Sequence, residues 1–207
     1  MADAKPPKPS LFRYVHNTDA SNCFPFMTEN PIEAAHYFAR GFHDAADNLI
    51  VGMRVGHGFP DYAAPPIVFL YRHAAELYLK SVIWNGDEIL AFLQKPLSGG
   101  KATATSSHSL TKLIPYAEFV VKAFGLKWNE AERGQFDDST AFIRELDAAD
   151  PNSYSFRYPV DTQGKASQHT TFGFNLFVFA EQISKALEGW WNLGLDVESV
   201  REYHMLG

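Results

Sequence analysis

Phe69-Leu70-Tyr71-Arg72-His73-Ala74-Ala75-Glu76-Leu77-Tyr78-Leu79-Lys80 is the stretch on which the fold turns. Wound as a helix, its Leu70, Tyr71, Ala74 and Tyr78, with Ile67 and Val82 on either side, surround most of the circumference. A helix that is apolar nearly all round belongs at the centre of a bundle. Yet Arg72, Glu76 and Lys80 recur every fourth residue and share one face, with His73 beside them and three residues before Glu76. Charges on a buried helix are expensive unless paired. Such a row is either an internal ion-pair ladder that fixes helix register or the centre of a site to which other segments converge.

This central helix is expected to start near Pro65-Pro66, run to about Trp84 and break at Asn85-Gly86, with a short turn through Ile89, Leu90 and Leu93. Before it, residues 31–54 form a first helix. Thr28 or Asn30 can cap it, Pro31 suits its first turn, and Phe38, Phe42, Ala45, Leu49 and Met53 form its apolar stripe. After it, residues 95–107 are rich in Gly, Ser and Thr and predict a flexible loop. A third helix carries Leu110, Leu113, Ile114, Ala117, Val120, Val121 and Phe124 on one face, and Pro115 is expected to split off its opening turn. A fourth, from about Glu130 to Ala149, has only the thin stripe Phe136, Ile143 and Leu146 and is peripheral. An irregular segment, 150–170, follows. The fifth, about Phe172 to Asn192, buries Leu176, Phe179, Ile183, Leu187 and Trp190 and turns Glu181, Lys185 and Glu188 outward. The expected fold is all-α, an up-and-down helix bundle of about five helices. Residues 1–30 form a partly disordered lead-in, 31–192 the bundle and 193–207 a C-terminal tail with a last turn around Val197 to Tyr203.

Composition narrows the function classes. The chain has 207 residues, 46% of them hydrophobic, enough for one sizeable core. A net charge of −6 with no strongly basic window confines any nucleic-acid contact to a local patch. Cys23 is the single cysteine, which excludes an intramolecular disulfide and a cysteine-rich zinc site. With no signal-like apolar region at the N-terminus and no long apolar run, a cytoplasmic chain without a membrane span is expected.

Two further segments carry polar groups suited to a site. Ser107-His108-Ser109-Leu110-Thr111-Lys112 puts His108 near a helix start, where capping or plain exposure is its ordinary role. Phe156-Arg157-Tyr158-Pro159-Val160-Asp161 holds an arginine and an aspartate apart across a stiff Tyr-Pro pair; a loop pinned by an Arg–carboxylate bond, with Glu76 as candidate partner, is the plain alternative. Together, Arg-His-Ala-Ala-Glu-Leu-Tyr-Leu-Lys at 72–80, His-Ser-Leu-Thr-Lys-Leu at 108–113 and Phe-Arg-Tyr-Pro at 156–159 resemble the HEPN superfamily, the higher-eukaryote and prokaryote nucleotide-binding helical domains. The resemblance covers about residues 31–192. It implies a helix bundle that often forms dimers, in ribonucleases of toxin–antitoxin and phage-defence systems or in non-catalytic binding modules. Ribonuclease members carry an arginine and a histidine four to six residues apart, late in the bundle. None of Arg13, Arg40, Arg54, Arg72, Arg133, Arg144, Arg157 and Arg201 has a histidine at that spacing, so the catalytic pair does not carry over.

The resulting expectation is a non-catalytic module binding a nucleotide, RNA or a protein partner. Its site gathers Arg72, His73, Glu76, Lys80, His108, Arg157 and Asp161, with no cofactor and no metal. An atypical metal-independent ribonuclease using His73 or His43 is the second reading, and a structural dimer with internal ion-pair struts the third. His36, Arg40, His43 and Asp47 share a face of the first helix, which usually means a solvated face; His43 and Asp47 alone are too few to hold a metal.

Overall fold

The computed structural model describes residues 31–130, 135–167 and 173–205; the lead-in 1–30 with its caps Thr28 and Asn30, Cys23 and Phe172 lie outside them. Six helices are present among the described residues: α1 Pro31–Arg54, α2 Pro60–Phe92, α3 Gly100–Ser106, α4 Leu110–Ala123, α5 Phe136–Ala149 and α6 Leu176–Met205. The single β feature among them is an isolated antiparallel bridge between Val160 and Ala166. The fold is an all-α bundle. Its centre is α2, which packs against all five other helices, as its apolar circumference requires. Ile67, Tyr71, Ala74, Tyr78, Leu79, Val82 and Ile83 are buried along it.

Helix boundaries differ from expectation where glycine or proline was expected to interrupt the chain. Helix α2 continues through Asn85-Gly86 because both are packing positions: Asn85 is buried and donates to the Ser81 carbonyl at 3.0 Å, and a Cβ on Gly86 would lie 2.5 Å from Val120. It also begins earlier, with Pro60 at the start, where a missing N–H costs no helical bond. Helix α4 runs through Pro115 unsplit; that residue is exposed, so the bond it forfeits is on the solvent side. Helix α6 continues past Gly194 to Met205, and Val197 is buried, so the expected tail is part of the helix. Gly194 seats the His36 ring, and Gly189 seats Trp128. Within the expected loop 95–107, residues 100–106 form α3, with Leu97 lying over Gly100 and Ala104 buried.

The stripes of α4 and α6 face the core as expected, except that Phe124 and Phe179 are only partly buried. The α1 stripe does so only in part: Phe42 and Met53 pack, partly buried, against the core. Phe38 and Leu49 are exposed, and the buried face is Ala35, His36, Ala39, His43, Ala46 and Ile50. Small alanines let α1 approach α2 closely, and that approach encloses the two histidines. The solvated face expected for His36 and His43 is therefore the inner one.

Candidate functional site

Glu76 is the hub of the row on α2. Its Oε1 accepts from Lys80 Nζ and from His108 Nδ1, each at 2.9 Å, and its Oε2 accepts from Arg72 Nη1 at 3.2 Å. Arg72 is fully buried and Glu76 nearly so. The Arg72 guanidinium spends its donors inside the protein: Nε on the Asp150 carbonyl at 2.8 Å, Nη2 on the His108 carbonyl at 2.7 Å and on Asp147 Oδ1 at 3.4 Å. Burial pushes the Glu76 carboxyl up, but Lys80 and His108 outweigh it and hold its pKa below the ordinary value.

Asp147 and Asp150, at the end of α5, complete this cluster and were not anticipated. Asp147 accepts from the Leu110 N–H at 2.8 Å, the Thr111 N–H at 3.0 Å and the Ser109 hydroxyl at 2.8 Å, which caps α4 from another helix. Asp150 Oδ1 accepts the Tyr154 and Ser155 N–H groups at 2.8 and 2.9 Å, which ties the irregular segment to the same point. One signal was present in the sequence: Asp147 lies four residues after buried Ile143, on the stripe that faces inward.

The remaining expected residues are placed elsewhere. His73 stacks on Phe69, with a centroid distance of 5.6 Å, and meets Phe42 edge-on at 4.4 Å. Its pKa is lowered by burial, against the pull of Glu76. Arg157 reaches no carboxylate among the described residues: its Nε donates to the Ser153 carbonyl at 2.6 Å, and its guanidinium lies over Phe69. The expected Arg157–Glu76 pin is therefore replaced by a local backbone bond. Asp161 folds onto its own turn, accepting the Gln163 and Lys165 N–H groups at 2.8 and 2.9 Å. The structure thus brings together Arg72, Glu76, Lys80 and His108, and sets His73, Arg157 and Asp161 apart from that hub.

Of the four residues at the hub, His108 alone is open to solvent, with its side chain 65% exposed. It lines a polar cleft of about 510 Å³ with Lys112, Thr103, Ser106, Ser107 and Ser109. Since carboxylate Glu76 only accepts, Nδ1 of His108 carries a proton, and Nε2 has no partner among the described residues.

A second polar network joins α1 to α6. Tyr78 OH lies 3.4 Å from His43 Nδ1, and His43 Nε2 lies 2.9 Å from the Ser184 hydroxyl. Ser184 donates onward to Asp47 Oδ2 at 3.1 Å, and Tyr71 donates to Asp47 Oδ1 at 2.6 Å. Neutral His43 with its proton on Nε2 satisfies every member, and burial lowers its pKa against Asp47. Nearby, His36 stacks on Trp191 at 4.2 Å, and burial pushes its pKa down to about 4. An unfolded histidine titrates near 6.5, so the unfolded chain binds this proton first as pH falls. Stability is therefore expected to drop by about 2–3 kcal/mol between roughly pH 6.5 and pH 4, at about 1.4 kcal/mol per tenfold in proton affinity. His43 and His73 act in the same direction. Urea denaturation at pH 7 and pH 4.5 measures the drop, and His36→Gln is expected to reduce it. An equal pH slope in that variant would contradict the assignment.

Among the described residues, no group of three His, Cys, Asp or Glu side chains is placed to hold a metal ion, and no helix is long and apolar enough to cross a membrane. Comparison with protein-family models finds none that matches the chain, and neither curated proteins nor solved structures give a match.

Proposed function

We propose that this chain is a HEPN-like, non-catalytic helical module that binds the phosphate groups of RNA or a nucleotide at the His108 cleft. One observation carries the reading: the hub's charged groups are consumed by internal partners, and His108 is presented from it into a cleft with Lys112 and four hydroxyl side chains. Glu76 orients the imidazole, and Arg72, Glu76 and Lys80 are struts. With Nε2 also protonated, His108 donates into the cleft beside the Lys112 ammonium and the Thr103 and Ser107 hydroxyls, a donor set that suits a phosphate.

Ribonuclease action through His43 or His73 has less support. A general base must reach the proton that it removes. His43 is buried with both ring nitrogens engaged, and His73 lies between Phe42 and Phe69. The burial of the ladder does favour its structural role, whatever the oligomeric state.

Fluorescence anisotropy with a labelled single-stranded RNA tests the proposal. Binding is expected with a shallow salt slope, roughly −0.7 for each phosphate neutralised and so about −1.4 for two. A His108→Ala, Lys112→Ala double variant should lose about tenfold in affinity or more, and the RNA should remain intact. Unchanged affinity in a folded double variant would refute the site, and RNA cleavage lost on His43→Ala or His73→Ala would restore the nuclease reading.

A further inference from the structure

We infer that a second, separate groove, the one at Arg157, binds a small flat ring bearing an oxyanion, either a carboxylate or a phosphate. The inference stands independently of the His108 cleft, because it rests on different residues.

Arg157 is exposed but held in place. Its Nε donates to the Ser153 carbonyl at 2.6 Å. Ser153 is buried and has a φ of +56°, a left-handed conformation unusual for a residue with a side chain. Strained residues of this kind persist where their surroundings over-determine them, and they gather at binding sites. Here the surroundings are plain. Asp150 Oδ1 takes the N–H groups of Tyr154 and Ser155, and the Asp150 carbonyl takes Arg72 Nε. The turn that presents Arg157 is thus anchored to the buried ladder.

The guanidinium lies over two rings, 5.4 Å from the Phe69 centroid and 5.6 Å from that of Tyr158. The two rings lie against the guanidinium, and the Ser153 bond occupies Nε. Both terminal nitrogens are left without a hydrogen-bond partner among the described residues. This pair of donors fits an oxyanion in bidentate fashion. The groove has a volume of about 730 Å³, within the range of small-molecule sites, and Pro65, Pro66, Phe69, Tyr158 and Pro159 line it. Among the described residues Arg157 is the one charged residue lining it, and no described carboxylate neutralises it from the walls. Ser167 is also in the wall, and its hydroxyl is buried without a partner among the described residues. Prolines and aromatic rings supply flat apolar surfaces for the body of the ligand.

Isothermal titration calorimetry on the full chain tests this with two probes, 2-naphthoate for the carboxylate and adenosine monophosphate for the phosphate. At least one is expected to bind saturably, and the stronger arm identifies the oxyanion. Arg157→Ala should weaken it by about tenfold or more, and Arg157→Lys, which keeps the charge but not the fork, by less. Arg157→Lys also serves if the alanine variant does not fold. Neutral 2-naphthalenemethanol should bind at least about tenfold more weakly than naphthoate. His108→Ala should leave naphthoate binding unchanged, which separates this groove from the RNA cleft. Absence of binding by both probes, equal affinity for the neutral ring, or full affinity in a folded Arg157 variant would overturn the inference.

Discussion

Arg72→Ala is expected to lower the unfolding free energy by about 3–5 kcal/mol, the usual cost of removing one partner from a buried ion pair. The side chain has no exposure, and its loss strands several groups at once. The His108 carbonyl loses its donor, the Asp150 carbonyl keeps only the Ser153 N–H at 3.3 Å, and the carboxylates of Glu76 and Asp147 lose a cation. Glu76 keeps Lys80 and His108, which sets a ceiling on the damage. At roughly 2–4 °C per kcal/mol for a chain of this size, the midpoint of thermal unfolding should fall by about 6–20 °C. Arg72→Lys should recover only part of this, because one ammonium cannot span partners on three segments. Circular dichroism melts of the wild type and both variants give the comparison. A loss below about 1 kcal/mol is what an exposed pair would show, and it would mean that water reaches the ladder.

The ladder itself could be read from the sequence because its spacing is local. Arg72, Glu76 and Lys80 are four apart on one helix, and the apolar residues around them said that the helix was central. His108 could be named but not placed. Asp147 and Asp150 could not be paired with Arg72 at all, since the pairing spans more than seventy residues and depends on where α5 ends. Charge alone makes Asp147 look like part of the solvated face of a thinly amphipathic helix. Only its register with Ile143 hints otherwise.

Helix α1 shows a different difficulty. Its large residues, Phe38, Phe42 and Leu49, drew the expected core stripe, because side-chain size dominates hydrophobic scales. Close approach to α2 selects instead for small residues, and Ala39, His43, Ala46 and Ile50 have the same helical period. The histidines on that face are accommodated because Ser81, Tyr78 and Ser184 arrive from other helices. A similar rule explains the boundaries of α2 and α6. Gly86, Gly189 and Gly194 are places where a neighbouring side chain lies on the backbone, and they do not end the helix. Local propensity counts each as a cost of about 1 kcal/mol, which tertiary packing overrides.

Asp147→Ala is the second large effect, expected at about 3–5 kcal/mol. Helix α4 has Ser109 at its N-cap, yet that residue makes no capping bond of its own. Asp147 does the work from α5, receiving the Leu110 and Thr111 N–H groups and the Ser109 hydroxyl. Loss of a cap alone costs about 0.5–2 kcal/mol. The rest comes from leaving buried Arg72 short of a counter-charge. Asp147→Asn should fall between wild type and alanine, since one oxygen still accepts but the charge is gone. Hydrogen exchange separates the two contributions: the cap predicts faster exchange confined to Leu110 and Thr111, whereas the ion pair predicts loss of global stability. The double variant Arg72→Ala, Asp147→Ala should lose less than the sum of the single variants, by about 0.5–3 kcal/mol, because each single change already damages a shared cluster. Additivity within about 0.5 kcal/mol would mean that the two side chains act independently and that the α5 end is held by the cap alone.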